Sequence, residues 1–405
     1  MISVDQAIEH LLAASKAMPD KPVALSKALG SVLAADVVAK VTLPPRAASA
    51  RDGYAVRLDD VRTKGAQLHV IGEAPAGRPF DGEIGKGQAV RIFTGGVVPD
   101  GADHVLIQEN AERGENSITV TEASGEARHI RKAGIDFHQG DILIKKGTRL
   151  EPGHLALAAA GNHAKLDIFQ KPRIGLIANG DELRRPGETQ DPDIIVSSNP
   201  SGLGALIESW GGDPVDLGIA GDTPDAIAAL IEQAHHCDII VPIGGASVGD
   251  HDHMRDVFSS RGLEMIFEKI AVRPGKPTWF GKMGDQLVLG LPGNPASATV
   301  CAYLFLQTLI TGQSALQGVA ARLKIALGSN GPRETYARAR ISCDESGQLR
   351  VMPFPRQDSS LLTPFPQSNA LIRIHANQPG KPAGDIVDCI LLGSGPGFTD
   401  PDPAP

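Results

Sequence analysis

The chain has 405 residues, 41% hydrophobic and 21% charged, the composition of a globular protein large enough for two to four domains of ~150 residues. Its formal net charge of −8 argues against general nucleic-acid binding and attachment to anionic membranes, since both need a basic face. Cys237, Cys301, Cys343 and Cys389 make no C-x-x-C pair, so no structural zinc site or iron–sulfur cluster is expected. Their apolar neighbours suggest buried free thiols in a reducing, cytoplasmic compartment.

The N-terminus carries no basic-then-apolar leader. Ser3 and Gln6 are spaced as a capping box with Ile2 as its staple, ahead of Val4, Ala7, Ile8, Leu11 and Leu12 at helical spacing. Pro44-Pro45 ends this segment. Across 46–138, short alternating runs at 67–71, 88–93, 104–108 and 117–120 are separated by Asp81-Gly82 and Asp100-Gly101, the pattern of a small β-rich domain. A strand at 141–145 and an apolar helix at 154–161 are expected to rejoin the N-terminal helix, making 1–45 and 139–170 one discontinuous domain.

Over 171–316 the period changes. Strands at 173–178, 215–220, 238–243, 277–281 and 286–290 are interleaved with helices at 201–210, 224–235, 253–260 and 295–311. That alternation predicts a doubly wound α/β domain on a parallel sheet with right-handed crossovers. The longest apolar stretch, 296–310, is too short to span a membrane and contains Ser297, Thr299, Gln307 and Thr308. Residues 317–396 read as a second β domain, with strands at 323–327, 335–342, 349–354, 370–375 and 385–391. Residues 397–405 read as a tail.

In a doubly wound sheet, ligands sit beyond the carboxyl ends of the strands, so the loops there are the candidate site. Gly244 and Gly245 let backbone approach a ligand closely, and amides ahead of the next helix cradle an anion. Asp250 and Asp252 would suit Mg²⁺ beside bound phosphates, although Asp is equally at home as a solvated helix cap. His251 and His253 have no third spaced ligand for a transition metal. Arg273-Pro274-Gly275-Lys276-Pro277 puts two cations on a loop stiffened by two prolines, which lowers the ordering cost of clamping an anion; a plain rigid turn is the other reading. In 290–297, Pro295 suits a first helical turn, and the exposed amides with Ser297 would face the same crevice. Glu182, in Asn179-Gly180-Asp181-Glu182, is either a metal or ligand contact or part of a surface turn.

Together these loops carry a resemblance. G-G-x-S-V-G-D-x-D at 244–252, R-P-G-K-P at 273–277 and G-L-P-G-N-P-x-S at 290–297 resemble the molybdopterin molybdenumtransferase family, of the MoeA and gephyrin E-domain type. The resemblance extends to Asp52-Gly53-Tyr54-Ala55, Arg91 to Gly95, Gln108-Glu109, Gly134-Ile135-Asp136, Arg333 to Tyr336 and Gln357 to Leu361. It implies four domains and an elongated homodimer whose cleft lies between the α/β domain of one subunit and the β domains of the other. The implied reaction takes adenylylated molybdopterin and molybdate and releases molybdenum cofactor and AMP, with Mg²⁺ or a similar ion. By position, Asp52, Thr94, Asp136, Asp222 and Asp252 would be catalytic. Glu182, Asp250 and Asp252 would hold metal. Gly244, Gly245, Ser247, Arg273, Lys276, Pro292, Pro295, Ser297, Arg333 and Ser359 would bind substrate. Transient contact with an adenylyltransferase and with apo-molybdoenzymes is implied as well.

The chain also departs from the family pattern. Arg51 stands where methionine is usual. S/T-G-D-E-L reads Ala178-Asn179-Gly180-Asp181-Glu182-Leu183, D-S-N reads Ser197-Ser198-Asn199, and Q-G-S-G reads Gln357-Asp358-Ser359-Ser360. Histidines occupy 251 and 253 in the D-Y-D-Y stretch. Two alternatives accompany the resemblance. A molybdopterin adenylyltransferase is similar to the α/β unit alone, so the β domains count against it. A non-catalytic scaffold that binds pterin cofactor would tolerate the departures at Arg51 and around Asn199.

Overall fold

Ile239-Ile240-Val241-Pro242-Ile243 is buried at every position, as a strand covered on both faces must be. It lies inside a six-stranded sheet ordered Asp213–Ala220, Arg173–Asn179, Ile239–Ile243, Gln286–Gly290, Trp279–Met283, Leu263–Phe267. Alternate residues point to opposite faces. Ile174, Leu176, Ile239, Val241 and Leu289 enter one core with Leu203, Ile207 and Phe305. Ile177, Ile240 and Val288 enter a second core with Ile227, Ile231, Met254 and Phe258. Helices thus cover both faces, and each fully buried aliphatic side chain contributes roughly 1.5–3 kcal/mol. The helix ends have local causes. Thr223 Oγ1 accepts from Ala226 N at 3.3 Å ahead of Pro224–Gln233. Gly211, at φ +95°, ends Asn199–Trp210.

The sheet is mixed rather than wholly parallel. The first four strands in that order are parallel, whereas Trp279–Met283 is antiparallel to both its neighbours. The reason is a hairpin: Met283 pairs with Gln286, and Gly284 at φ +60° supplies the left-handed residue that a two-residue turn requires. The helix expected at 295–311 is continuous, but residues 302–306 form a π turn within it.

The computed structural model describes residues 1–188, 191–245 and 253–393. These fall into two units, Met1–Met18 with Gln170–Pro405, and Pro19–Phe169. The first helix, Val4–Ala14, has the expected capping box, but it is not part of a domain with 139–170. Its apolar stripe, Val4, Ala7, Ile8 and Leu11, is buried in the core that holds Phe305 and Leu309. Ser15 Oγ donates to Leu309 O at 3.2 Å. The long helix offers this stripe a matching apolar face, and proximity in sequence does not decide the pairing.

In the same unit, the C-terminal sheet runs Val272–Arg273, Glu334–Cys343, Leu349–Pro353, Val319–Leu323, Ile386–Leu391, Ala370–Ile374. Glu334–Cys343 also pairs with Ala370–Ile374, so the sheet closes on itself. The strand expected at 323–327 lies at Val319–Leu323, where it pairs with Ile386–Leu391 and buries Ala321 and Leu323, while Leu327 packs against the same core from beyond the strand.

The unit Pro19–Phe169 has two parts. One is a six-stranded sheet ordered His104–Ile107, Gly53–Val56, Gln88–Ile92, Gln67–Ala74, Ser117–Val120, Ala111–Arg113. The other pairs Asp20–Ala24 with Lys165–Phe169 and Val37–Val38 with Ile142–Ile144, over a core of Leu33, Leu150, Ala158 and Leu166.

Candidate active site

The parallel strands of the α/β sheet end together, and a cavity of about 730 Å³ opens beyond their carboxyl ends. Four loops build it. Asn179 and Glu182 come from the first, Gly244 and Gly245 from the second, Lys276 from the third, Pro292 and Pro295 from the fourth. Gly244 and Gly245 have φ of +93° and +59°. A Cβ on Gly245 would lie 2.6 Å from Asn179 Oδ1, so both backbone angle and crowding require glycine there. Asn199 Nδ2 donates to Gly293 O at 2.8 Å, which ties the start of one helix to the fourth loop.

Lys276 is exposed within the cavity wall. Its loop is held from below: Gly275 O accepts from Thr278 N at 3.0 Å and from Thr278 Oγ1 at 2.8 Å. Lys276 O accepts from Ile270 N at 3.1 Å. A second cation, Lys269, lines the same cavity and was not anticipated. Ile2 places it, donating from its backbone to Lys269 O at 3.0 Å while accepting from Ala271 N at 2.8 Å. The N-terminal segment therefore supports the site. Nothing in the sequence around Glu268-Lys269 marks it.

The C-terminal sheet supplies a fifth loop. Ser360 lines the cavity. Ser359 O accepts from Ala296 N at 3.0 Å, and Ser359 Oγ accepts from Asn294 Nδ2 at 3.1 Å. Arg338, 2% exposed, holds that loop from inside. It donates to Leu361 O at 2.6 Å and to Asp358 O at 2.8 Å, and stacks 5.5 Å from the Phe365 ring centre. Burial pulls its guanidinium below the usual range, opposed by the Asp358 carboxylate. The Ser360 hydroxyl and N–H in turn hold Asp358 below the usual carboxylate range. A cation between two alanines in an apolar strand was a usable signal for Arg338.

Other expected residues lie elsewhere. Asp222 is half-buried beside the cavity, with Oδ1 accepting from Asn179 Nδ2 at 3.0 Å and Oδ2 from Asp181 N at 3.3 Å. Ser297 is 4% exposed in the first turn of Pro295–Cys301 and does not line the cavity. Arg273 pairs by its backbone with Thr335, and Arg333 O accepts from Asn330 Nδ2 at 2.8 Å; neither lines the cavity. Ser247, Asp250, His251 and Asp252 lie outside the described residues.

In the unit Pro19–Phe169, Asp52 Oδ1 accepts both the backbone N–H of Thr94 at 2.7 Å and its hydroxyl at 2.8 Å. These two bonds hold the carboxyl below the usual carboxylate range, with Arg91 adding to the effect. Arg91 stacks between Tyr54 and Phe93, 5.0 and 5.1 Å from their ring centres. Asp136 is exposed on a loop whose backbone returns to Leu43.

Fold and cavity together define a class: a multidomain α/β protein with a cationic, glycine-lined crevice at the carboxyl ends of its parallel strands. Three family models match successive parts of the chain: the MoeA N-terminal region (domains I and II) at residues 2–161, a probable molybdopterin binding domain at 175–312, and the MoeA C-terminal region (domain IV) at 320–392. The molybdopterin molybdenumtransferase of Haemophilus influenzae is 33% identical over 378 residues, covering 90% of this chain and 91% of that protein. The enzyme of that name from Bacillus subtilis is 32% identical over 405 residues, covering 96% and 94%. The crystal structure of the molybdopterin biosynthesis MoeA protein from Pyrococcus horikosii superposes with a TM-score of 0.83 at 28% identity, covering 97% of this chain and all of that one. The chain belongs to the molybdopterin molybdenumtransferase (MoeA) family, which places it in molybdenum cofactor biosynthesis. Among the described residues, no helix is long and apolar enough to cross a membrane.

Proposed function

We propose that the chain inserts molybdate into adenylylated molybdopterin and releases AMP and molybdenum cofactor. One observation carries the reading: Lys269 and Lys276 line the same cavity as Gly244 and Gly245, and its volume of about 730 Å³ admits a substrate with a phosphate linkage. Both substrates are anionic. The two ammonium groups offset that charge, and the glycine backbone allows a phosphate to lie against the loop. The apolar edges of Leu183, Ile195 and Val196 suit the flat pterin. Ser359 Oγ accepts from Asn294 Nδ2 and keeps its own hydrogen to offer a molybdate oxygen, whereas the Ser360 hydroxyl at the cavity wall donates to Asp358 Oδ1 at 2.6 Å.

The reading includes Mg²⁺. Among the described residues no group of three or more metal-ligating side chains occurs. Mg²⁺ needs no such cage when a substrate phosphate completes its shell, because one or two carboxylates then suffice. Glu182, at the cavity edge, fits that role, and Asp250 and Asp252 are the further candidates. The ion, when bound, would polarise the phosphate linkage and neutralise charge that develops on it. The chain's own groups bind and orient the two anions. The reading further includes a homodimer, with Asp52, Thr94 and Asp136 of one subunit serving the cavity of the other, a cytoplasmic setting, and transient exchange with the adenylyltransferase that makes the substrate and the apo-enzymes that receive the product.

The test is AMP release by the purified chain given adenylylated molybdopterin, molybdate and Mg²⁺. Release that depends on molybdate and stops on chelation supports the reading. No release, beside an active family member, rejects it.

A further inference from the structure

Asn179 ends the strand Arg173–Asn179, between the ends of both parallel neighbours. It is 8% exposed, yet it lines the cavity. Its Nδ2 donates to Asp222 Oδ1 at 3.0 Å and lies 3.3 Å from the carbonyl oxygens of Ala220 and Gly221. An amide nitrogen has two hydrogens, so three acceptors share two donors, and the nearest, charged acceptor makes the strongest bond. The amide oxygen points the other way, toward Gly245. One side chain thus touches the loops that follow both neighbouring strands.

Asp222 has one other support. Its Oδ2 accepts from Asp181 N at 3.3 Å, while its own N–H donates to Asp181 Oδ1 at 3.0 Å. Without the Asn179 amide, a single long bond would restrain the carboxylate, and its side chain would be free to rotate.

We propose that Asn179 is a positioning residue for the reaction: its amide fixes the Asp222 carboxylate on one side and backs Gly245 on the other, so that both loops present one geometry to the substrate. The inference rests on the reading of this cavity as the molybdenum-insertion site with Asp222 among its carboxylates. A hydroxyl side chain at 179 would be too short to reach both loops at once. A carboxylate would put like charges face to face.

The experiment compares kcat and KM for molybdate-dependent AMP release in Asn179→Leu and Asn179→Asp, which keep the size of the side chain. We expect kcat to fall about tenfold or more, the scale of a lost hydrogen bond to a charged group. KM for the adenylylated pterin should stay within about twofold of wild type, and circular dichroism should show a folded chain. Adding Asn179→Leu to Asp222→Asn should cost less than about twofold more, because the two residues act as a unit. A kcat within about twofold of wild type in both single variants would overturn the inference. So would a loss confined to KM, an Asp222→Asn variant at full rate, or a double variant in which the two losses multiply. If one substitution prevents folding, Asn179→Ser, which keeps a short donor, should show an intermediate kcat; a wild-type kcat there overturns the inference equally. A wild-type chain that releases no AMP would reject the functional reading, and this inference with it, whereas active wild type with active variants rejects the inference alone.

Discussion

Asn294 and Ser359 join two domains at the cavity: Asn294 Nδ2 donates to Ser359 Oγ at 3.1 Å, and the backbone of Ser359 accepts from Ala296 N at 3.0 Å. The first belongs to the loop before the long helix of the α/β domain, the second to a loop of the C-terminal sheet. Ser359→Ala removes the side-chain bond and leaves the backbone bond. We predict a KM for molybdate raised about fivefold, the equivalent of one ordinary hydrogen bond, with kcat little changed. AMP release measured against molybdate concentration checks it.

Arg338 organises the same loop from within. Arg338→Met preserves length and burial but leaves the carbonyl of Leu361 without its Arg338 donor and that of Asp358 with only the long bond from Leu361 N at 3.3 Å. Losing hydrogen bonds from a charged, buried donor costs about 1.5–3 kcal/mol each. We predict a stability loss of about 2–4 kcal/mol in urea unfolding and a raised KM for molybdate in the surviving native enzyme. Arg338→Lys should recover little, because an ammonium cannot span both carbonyls in one plane.

Asp52 and Thr94 give a pH prediction. The two Thr94 donors lower the carboxyl below its ordinary value. A group whose native pKa is depressed stabilises the fold above its unfolded pKa, and that stabilisation is lost as pH falls through the native value. Thr94→Val removes the hydroxyl donor and keeps the backbone one, so the Asp52 titration should move up toward the ordinary carboxylate range. Carbon-13 NMR of the labelled carboxyl reads this directly. Asp52 stays ionised in both proteins at neutral pH, so the rate between roughly pH 6 and 8 should show no new inflection from this group.

Gly275 tests the support beneath Lys276. Its φ is +113°, and a Cβ there would overlap Cys301 Sγ. Gly275→Ala should destabilise the protein by about 2–3 kcal/mol through backbone strain and overpacking. It should also raise KM for molybdate, because Lys276 shifts with the loop. Adding Cys301→Ala removes the collision but not the strain, so we expect partial recovery of the melting temperature. Complete recovery would show that the left-handed backbone is not what requires glycine.

The sequence was most readable where one local rule governs. The buried run 239–243, the Thr223 cap and the glycines at 244 and 245 each follow from backbone geometry or periodicity, and the structure has them. Residues whose roles depend on distant partners were not readable. Lys269 lines the cavity because the N-terminal Ile2 pairs beside it, a contact across more than half the chain. The first helix joins the α/β core for the same kind of reason: its stripe fits a face made 300 residues later. Arg333 lies just before the strand Glu334–Cys343, and Arg338 lies inside it. Only the fold shows that Arg338, not Arg333, reaches the loop of Ser359. Asn179 reads as a turn residue until both neighbouring strands are known.

The most direct test of the central claim is a single-turnover experiment. Purified chain is loaded with adenylylated molybdopterin, molybdate and Mg²⁺ are added, and AMP and pterin-bound molybdenum are quantified together over time. The account predicts that they appear in equal amounts, that omitting molybdate suppresses both, and that replacing Lys269 and Lys276 by Met slows both in parallel. AMP released at the same rate without molybdate, or molybdenum incorporated without AMP, would contradict it.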